Sequence, residues 1–269
     1  MQRILVPTDF SPVADNALSY AIEIGANFKS ELLLYHVYHM HNKIDYDLNF
    51  PDDEQPFVKK LERNMNFTKG KFMEKIKQKE LTIQTRVEEG NVLSLFGRKV
   101  MKHDINLIIM GSKGASGLAK VIFGSFAADA LEMSKVPVLV VPSKHDFAPV
   151  EQIVLATDLN EVSTSILSPL QKLAFKFDAK VTILHVNTGS NKNPHQRNIY
   201  LKDIETAYHE VPMSKSINES INEFIEKNKC DLLCMIRREK GFFEGLFKGS
   251  ITKSQVYSNR IPLLVLPEK

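Results

Sequence analysis

The chain has 269 residues, of which 43% are hydrophobic and 25% charged, a composition that fits one large or two small globular domains. Its net charge of +3 is too small to argue for a nucleic-acid partner, and its longest apolar runs, such as NLIIM and PVLVV, fall far short of a membrane span. Two cysteines, Cys230 and Cys234, are too few for a disulfide framework or a metal cluster. With no leader pattern ahead of the first apolar run, a cytoplasmic location is expected.

In chain order, a strand is expected at about Ile4–Pro7. A helix should follow from Ser11-Pro12, with Ser as N-cap and Pro in the first turn. Ala14, Leu18, Ala21, Ile22 and Gly25 keep helical spacing within it. ELLLYHV reads as a second strand. A single helix is expected from about Gln55 to Lys79, with Val58, Leu61, Met65, Phe72 and Ile76 on one side. TIQTRVEE is the third strand, Val92–Lys102 a helix, NLIIM the fourth strand, Gly124–Ser134 a helix and PVLVV the fifth strand. Alternating strands and helices imply a doubly wound α/β fold with parallel sheets.

The chain then repeats itself. Thr8-Asp9 matches Thr157-Asp158, and His36-Val37 matches His185-Val186 at the same offset. Gly124-Ser125 matches Gly249-Ser250, and Pro137 and Pro142 match Pro262 and Pro267, at one shorter offset. Two tandem domains follow, 1–145 and 150–269, joined within SKHDFAPVEQ. The second lacks part of the region that in the first holds YHMHNKIDYDLNFPDDEQP and the Lys-rich helix.

Chemistry concentrates after the fourth strand, where Gly111, Gly114 and Gly117 lead towards Gly124-Ser125 at the head of a helix. Glycines let a ligand approach the backbone, and a helix N-terminus suits an anion. Asp9, Val37 and this loop all fall at strand carboxyl ends, where doubly wound sheets bind ligands. There is no G-x-x-x-x-G-K-[ST] loop, and no G-x-G-x-x-G after the first strand. The first strand continues as PTDFSP, not as the S-G-G-x-D-S loop of a related pyrophosphatase topology.

The spacing Gly111-x2-Gly114-x9-Gly124-Ser125, with Thr8-Asp9 and His36-Val37 in register, resembles the universal stress protein family over nearly the whole chain. The resemblance implies two five-stranded parallel sheets of order 3-2-1-4-5, the adenine nucleotide alpha hydrolase-like fold. It also implies ATP, with or without Mg2+, as the ligand, and a stress-response or regulatory role. Asp9 then contacts the adenosine part and Val37 lines the adenine slot, with Pro7 and Thr8 beside them. Gly111 and Gly114 pass close to the ribose and phosphates, and Met110 and Lys113 also belong to the implied nucleotide site. Gly124, Ser125 and the N–H of Phe126 hold the phosphates. A side chain at Gly111 or Gly114 is expected to fill ligand space, and Ser125 to cap the helix while donating to phosphate. Lys113 and Lys120 add positive charge, with solvated loop lysines as the plainer reading. In similar proteins the fifth strand makes the dimer contact, so the two copies should pair with each other, and a homodimer is a further option.

In the second copy Ile236 and Glu239 stand where Gly111 and Gly114 stand in the first. The expectation is that Ile236 and Glu239 block the cradle. This copy should keep Asp158 and Val186 but bind ATP weakly or not at all. Arg237, Arg238 and Lys240 form either a site for another anion or a solvated loop.

His36, His39 and His41 lie close in sequence, but a metal site needs further converging ligands. The recurrence of His36 as His185 suggests a structural role at a strand end. The basic run VKKLERNMNFTKGKFMEKIKQKE reads as the wet face of a helix. No nucleophile–base pair is legible, so no catalytic residue is assigned and any ATP hydrolysis should be slow. The remaining alternative is an interaction scaffold that needs no nucleotide.

Overall fold

The computed structural model describes residues 1–39, 54–113, 124–143, 145–189, 199–238 and 261–268. Gly114, Gly117, Lys120, His41, Glu239, Lys240, Gly249 and Ser250 lie outside them.

Among the described residues, ten strands form one sheet. In chain order they are β1 (Arg3–Pro7), β2 (Glu31–Tyr38), β3 (Ile83–Glu89), β4 (Leu107–Gly111), β5 (Val138–Val141), β6 (Gln152–Ala156), β7 (Lys180–Asn187), β8 (Thr206–Pro212), β9 (Leu232–Arg237) and β10 (Leu263–Pro267). Their spatial order is β3-β2-β1-β4-β5-β10-β9-β6-β7-β8. Each half thus has the order 3-2-1-4-5, as expected, and is parallel throughout. The halves meet where β10 pairs antiparallel with β5, Leu264 opposite Leu139. The strands of one half therefore point opposite to those of the other.

The helices are α1 (Pro12–Phe28), α2 (Glu54–Lys71), α3 (Met73–Gln78), α4 (Arg98–Lys102), α5 (Ser125–Met133), α6 (Thr164–Phe177) and α7 (Ile217–Asn228), with a 3-10 turn at Val92–Phe96. Both faces of the sheet are covered, so its strands are apolar nearly throughout. Ile4, Val6, Leu107 and Ile109 pack with Leu18 and Ile22 of α1 and Leu167 and Leu170 of α6 on one face. Leu5, Ile108 and Met110 pack with Leu95, Ala127, Leu131 and Ile221 on the other. Full burial of a side chain such as Leu18 contributes about 1.5–3 kcal/mol.

Two expected helices are each split. The run from Gln55 to Lys79 breaks at Phe72, whose backbone (φ −110°, ψ 7°) leaves the helical region. Gly70 lies just ahead, and the Phe72 N–H turns back to Lys69 in a tighter turn. The run from Val92 to Lys102 breaks at Gly97, at φ −124°, ψ −100°. α1 begins as expected, with Pro12 in its first turn and the Ser11 hydroxyl accepting the Ala14 N–H at 3.2 Å. Among the described residues no helix is long and apolar enough to cross a membrane.

Candidate functional site

The turn after β1 is built by its own side chains. The Thr8 hydroxyl accepts the Phe10 N–H at 3.0 Å, and Asp9 Oδ1 accepts the Ser11 N–H at 3.0 Å. These local bonds hold Phe10 at φ 65°, a conformation a bulky residue seldom adopts. His36 on β2 completes the turn. Its buried Nδ1–H donates to the Thr8 carbonyl at 2.8 Å, and its ring lies 4.5 Å from that of Phe10. Burial lowers the His36 pKa, against opposing effects of the Thr8 bond and the Asp9 charge. Backbone strain fixed by surrounding bonds is a recurring property of ligand sites.

The same device recurs in the second half. The Thr157 hydroxyl accepts from Leu159 N–H, Asp158 accepts from Asn160 N–H, His185 Nδ1–H donates to the Thr157 carbonyl, and Leu159 sits at φ 62°. The repeat therefore extends to an unfavourable backbone angle.

In the first half this turn faces a cavity of about 390 Å³ at the carboxyl ends of β1, β2 and β4, within the range of small-molecule sites. Of the residues singled out in the sequence, Pro7, Thr8, Asp9, Val37, Met110, Gly111, Lys113, Ser125 and Phe126 line it. Gly124 does not. It is the N-cap of α5, tied to the end of β4 by its N–H donating to the Ser112 carbonyl at 2.8 Å. Gly114 lies outside the described residues. Among the described residues, Ala14, Tyr35, His36, Val92, Leu93, Leu95, Ala127 and Asp129 also line it. Of these, Val92, Leu93 and Leu95 had a usable signal, because they follow the carboxyl end of β3.

The lining is divided by chemistry. Val37, Val92, Leu93 and Leu95 supply apolar wall, and exposed Asp9 a carboxylate. At another part stands the amino end of α5, whose first amides have no intrahelical acceptors and carry the positive end of the helix dipole. Lys113 adds a cation and Asp129 an anion.

Two expectations about this region need correction. Ser125 is not the helix cap. Gly124 holds that position and gives no side-chain cap, so the Ser125 hydroxyl lies at the start of the helix on the cavity wall. Gly111 is also small for another reason than ligand space. A Cβ there would lie 2.6 Å from Val13 Cγ1 and 3.0 Å from the Val13 carbonyl oxygen, so the glycine lets α1 approach β4.

The second half differs at its counterpart of Asp9. Asp158 is buried, and Arg238 lies across it with Nε 3.5 Å from Asp158 Oδ1. The same guanidinium donates to Glu268 at 2.9 Å and to the carbonyls of Asn160 and Glu161 at 3.2 and 3.1 Å. Ile236, the counterpart of Gly111, is itself buried. Alternation along β9 places it in the buried cluster with Leu155 and Leu167 on the opposite face from Met235. A cation supplied by the chain itself holds the Asp158 side. Arg238 is therefore not a solvated loop residue.

Among the described residues no three His, Cys, Asp or Glu side chains are grouped to hold a metal ion.

The known proteins agree with this architecture. The sequence profile described as the Universal stress protein family matches residues 1–142. Universal stress protein MJ0577 of Methanocaldococcus jannaschii is 26% identical over 156 residues, covering 54% of this chain and 96% of that protein. A universal stress protein structure from Archaeoglobus fulgidus superposes with a TM-score of 0.75 at 18% identity, covering 99% of this chain and 98% of that one. A Pseudomonas aeruginosa structure described as a putative universal stress protein gives a TM-score of 0.61 at 15% identity, over 99% of this chain and 93% of that one. At these identities the structures speak for the fold alone. With the profile spanning more than half of the residues and the fold shared from end to end, the chain belongs to the universal stress protein family.

Proposed function

We propose that the N-terminal half binds an adenine nucleotide, ATP, and that the protein acts as a nucleotide-dependent regulatory protein in a stress response. The two halves serve as paired domains, residues 1–145 and 150–269, of which only the first takes nucleotide. The observation that carries this reading is the single cavity wall shared by an apolar slot, the exposed Asp9 carboxylate and the amino end of α5.

The residues fit the chemistry of such a ligand. Val37, Val92 and Leu93 suit the faces of a base. Asp9 accepts hydrogen bonds from ribose hydroxyls or an exocyclic amine, which a carboxylate does without a proton of its own. Ser125 and the first amides of α5 donate to phosphate oxygens, and Lys113 offsets their charge. In the second half the Arg238 guanidinium already engages the equivalent carboxylate.

The test is to purify the full chain without added nucleotide, denature it and identify what is released. About one adenine nucleotide per chain is expected. Two per chain would contradict the proposal that only the first half takes nucleotide, and none, together with no ATP binding by dialysis, would remove the reading. Repeating the binding with EDTA reads whether Mg2+ accompanies the nucleotide, and phosphate release over hours separates a ligand from a slow substrate.

A further inference from the structure

α5 is incomplete by its own sequence. Its first turn carries no acidic residue and its last turn no basic one, so nothing within it answers either end of its dipole. The cavity lies at its positive end. At its negative end stands a residue from the other half of the molecule. Arg237, the last residue of β9, donates from Nη1 to the Leu131 carbonyl at 3.0 Å and from Nη2 to the Ser134 carbonyl at 2.6 Å. Its own carbonyl accepts the Glu268 N–H at 2.9 Å, which anchors it beside β10.

The sheet explains this meeting. β5 and β10 run antiparallel, so the carboxyl ends of the second half lie beside the tail of α5. Alternation along β9 then turns Arg237 to the face that holds Met235 and Leu131. The residue in the equivalent place of the first half is Ser112.

We propose that Arg237 is a positioning residue for the N-terminal nucleotide site. It holds α5 by two carbonyls at one end so that the amides and Ser125 at the other end meet phosphate. The inference rests on the nucleotide reading above. It gives the second half a part in the first half's binding: a fixed guanidinium at the far end of α5, about 9–13 Å along the helix from Ser125 at the usual rise per residue. Two donors of one planar group fix a direction as well as a distance, which a lysine ammonium does not reproduce.

The test compares ATP with adenosine on the full chain, by calorimetry or equilibrium dialysis, for wild type, Arg237→Gln and Arg237→Lys. Adenosine shares the base and sugar contacts but lacks the phosphates that meet α5. Arg237→Gln should weaken ATP about fivefold, the scale of a charge at a helix end, and leave adenosine unchanged. Arg237→Lys should fall between it and wild type. If Arg237→Gln does not give folded protein, Arg237→Lys carries the test, with ATP weakened about twofold and adenosine unchanged. ATP affinity equal to wild type, or loss of ATP and adenosine in the same proportion, would overturn the positioning role while leaving the nucleotide site in place. Wild-type protein that binds neither ligand would overturn both.

Discussion

Arg238 lies over Asp158 with Nε 3.5 Å from Oδ1, whereas Asp9, the counterpart of Asp158, is exposed on a cavity wall. One half has spent its carboxylate on an internal cation, and the other still presents it. Replacing Arg238 by Met leaves Asp158 buried without that cation and should cost about 3 kcal/mol of unfolding free energy, measured by urea titration. A loss below about 0.5 kcal/mol, the range of ordinary surface changes, would show that the contact is slack.

Gly111 tests packing against ligand space. Gly111→Ala should destabilise the protein by about 1–3 kcal/mol even without nucleotide, because the new methyl meets Val13 Cγ1 at 2.6 Å. Adding Val13→Ala should recover part of the loss, but not all of it, since the Val13 carbonyl oxygen would remain 3.0 Å away. Full stability of the single variant would return the glycine to a purely ligand-facing role.

His36 makes an acid-sensitive joint. Its pKa is lowered by burial, so the unfolded chain takes the proton at a higher pH than the folded one. Between the two values the unfolded state binds more protons, and stability rises with pH. The contribution should be complete above about pH 6.5, the unfolded value, and fall as the pH drops below it, levelling off beneath the folded value. Urea midpoints across pH 5–7.5 should show a steeper acid slope for wild type than for His36→Gln. Parallel slopes would assign the acid response to other groups.

The two thiols are predicted to be silent in the folded protein. Burial pushes Cys230 up to about 11 and raises Cys234 further, and neither sits beside a cation that would stabilise thiolate. A thiol reagent at pH 7.5 should label neither until denaturant is added. Rapid labelling of Cys234 would show that β9 opens locally, and rapid labelling of Cys230 that the segment between α7 and β9 does.

Much of this architecture is legible in the sequence because its causes are local. Apolar runs of strand length and the paired Thr-Asp and His-Val motifs reveal two copies of one sheet order. Nine residues singled out around the glycine loop do line one cavity, since strand carboxyl ends converge in this topology. What escapes has long-range or orientational causes. The face on which Ile236 packs follows only from the two-residue period of β9, which puts it with Leu155 and Leu167. Arg237 and Arg238 read as loop charges because their acceptors, Leu131, Ser134, Asp158 and Glu268, are remote along the chain or carry no sequence mark as backbone carbonyls. The break at Phe72 escapes because the apolar spacing continues across it.

The antiparallel seam between β5 and β10 has a consequence for assembly. An unpaired strand edge ordinarily recruits whatever chain is nearby, and the union loosens as protein is diluted. Here both edges belong to one covalent thread, so the local concentration of one for the other is set by the short connection between β5 and β6. The ten-stranded sheet should therefore melt at the same temperature in nanomolar and micromolar samples, and scarcity of the protein in a cell would not part its two halves.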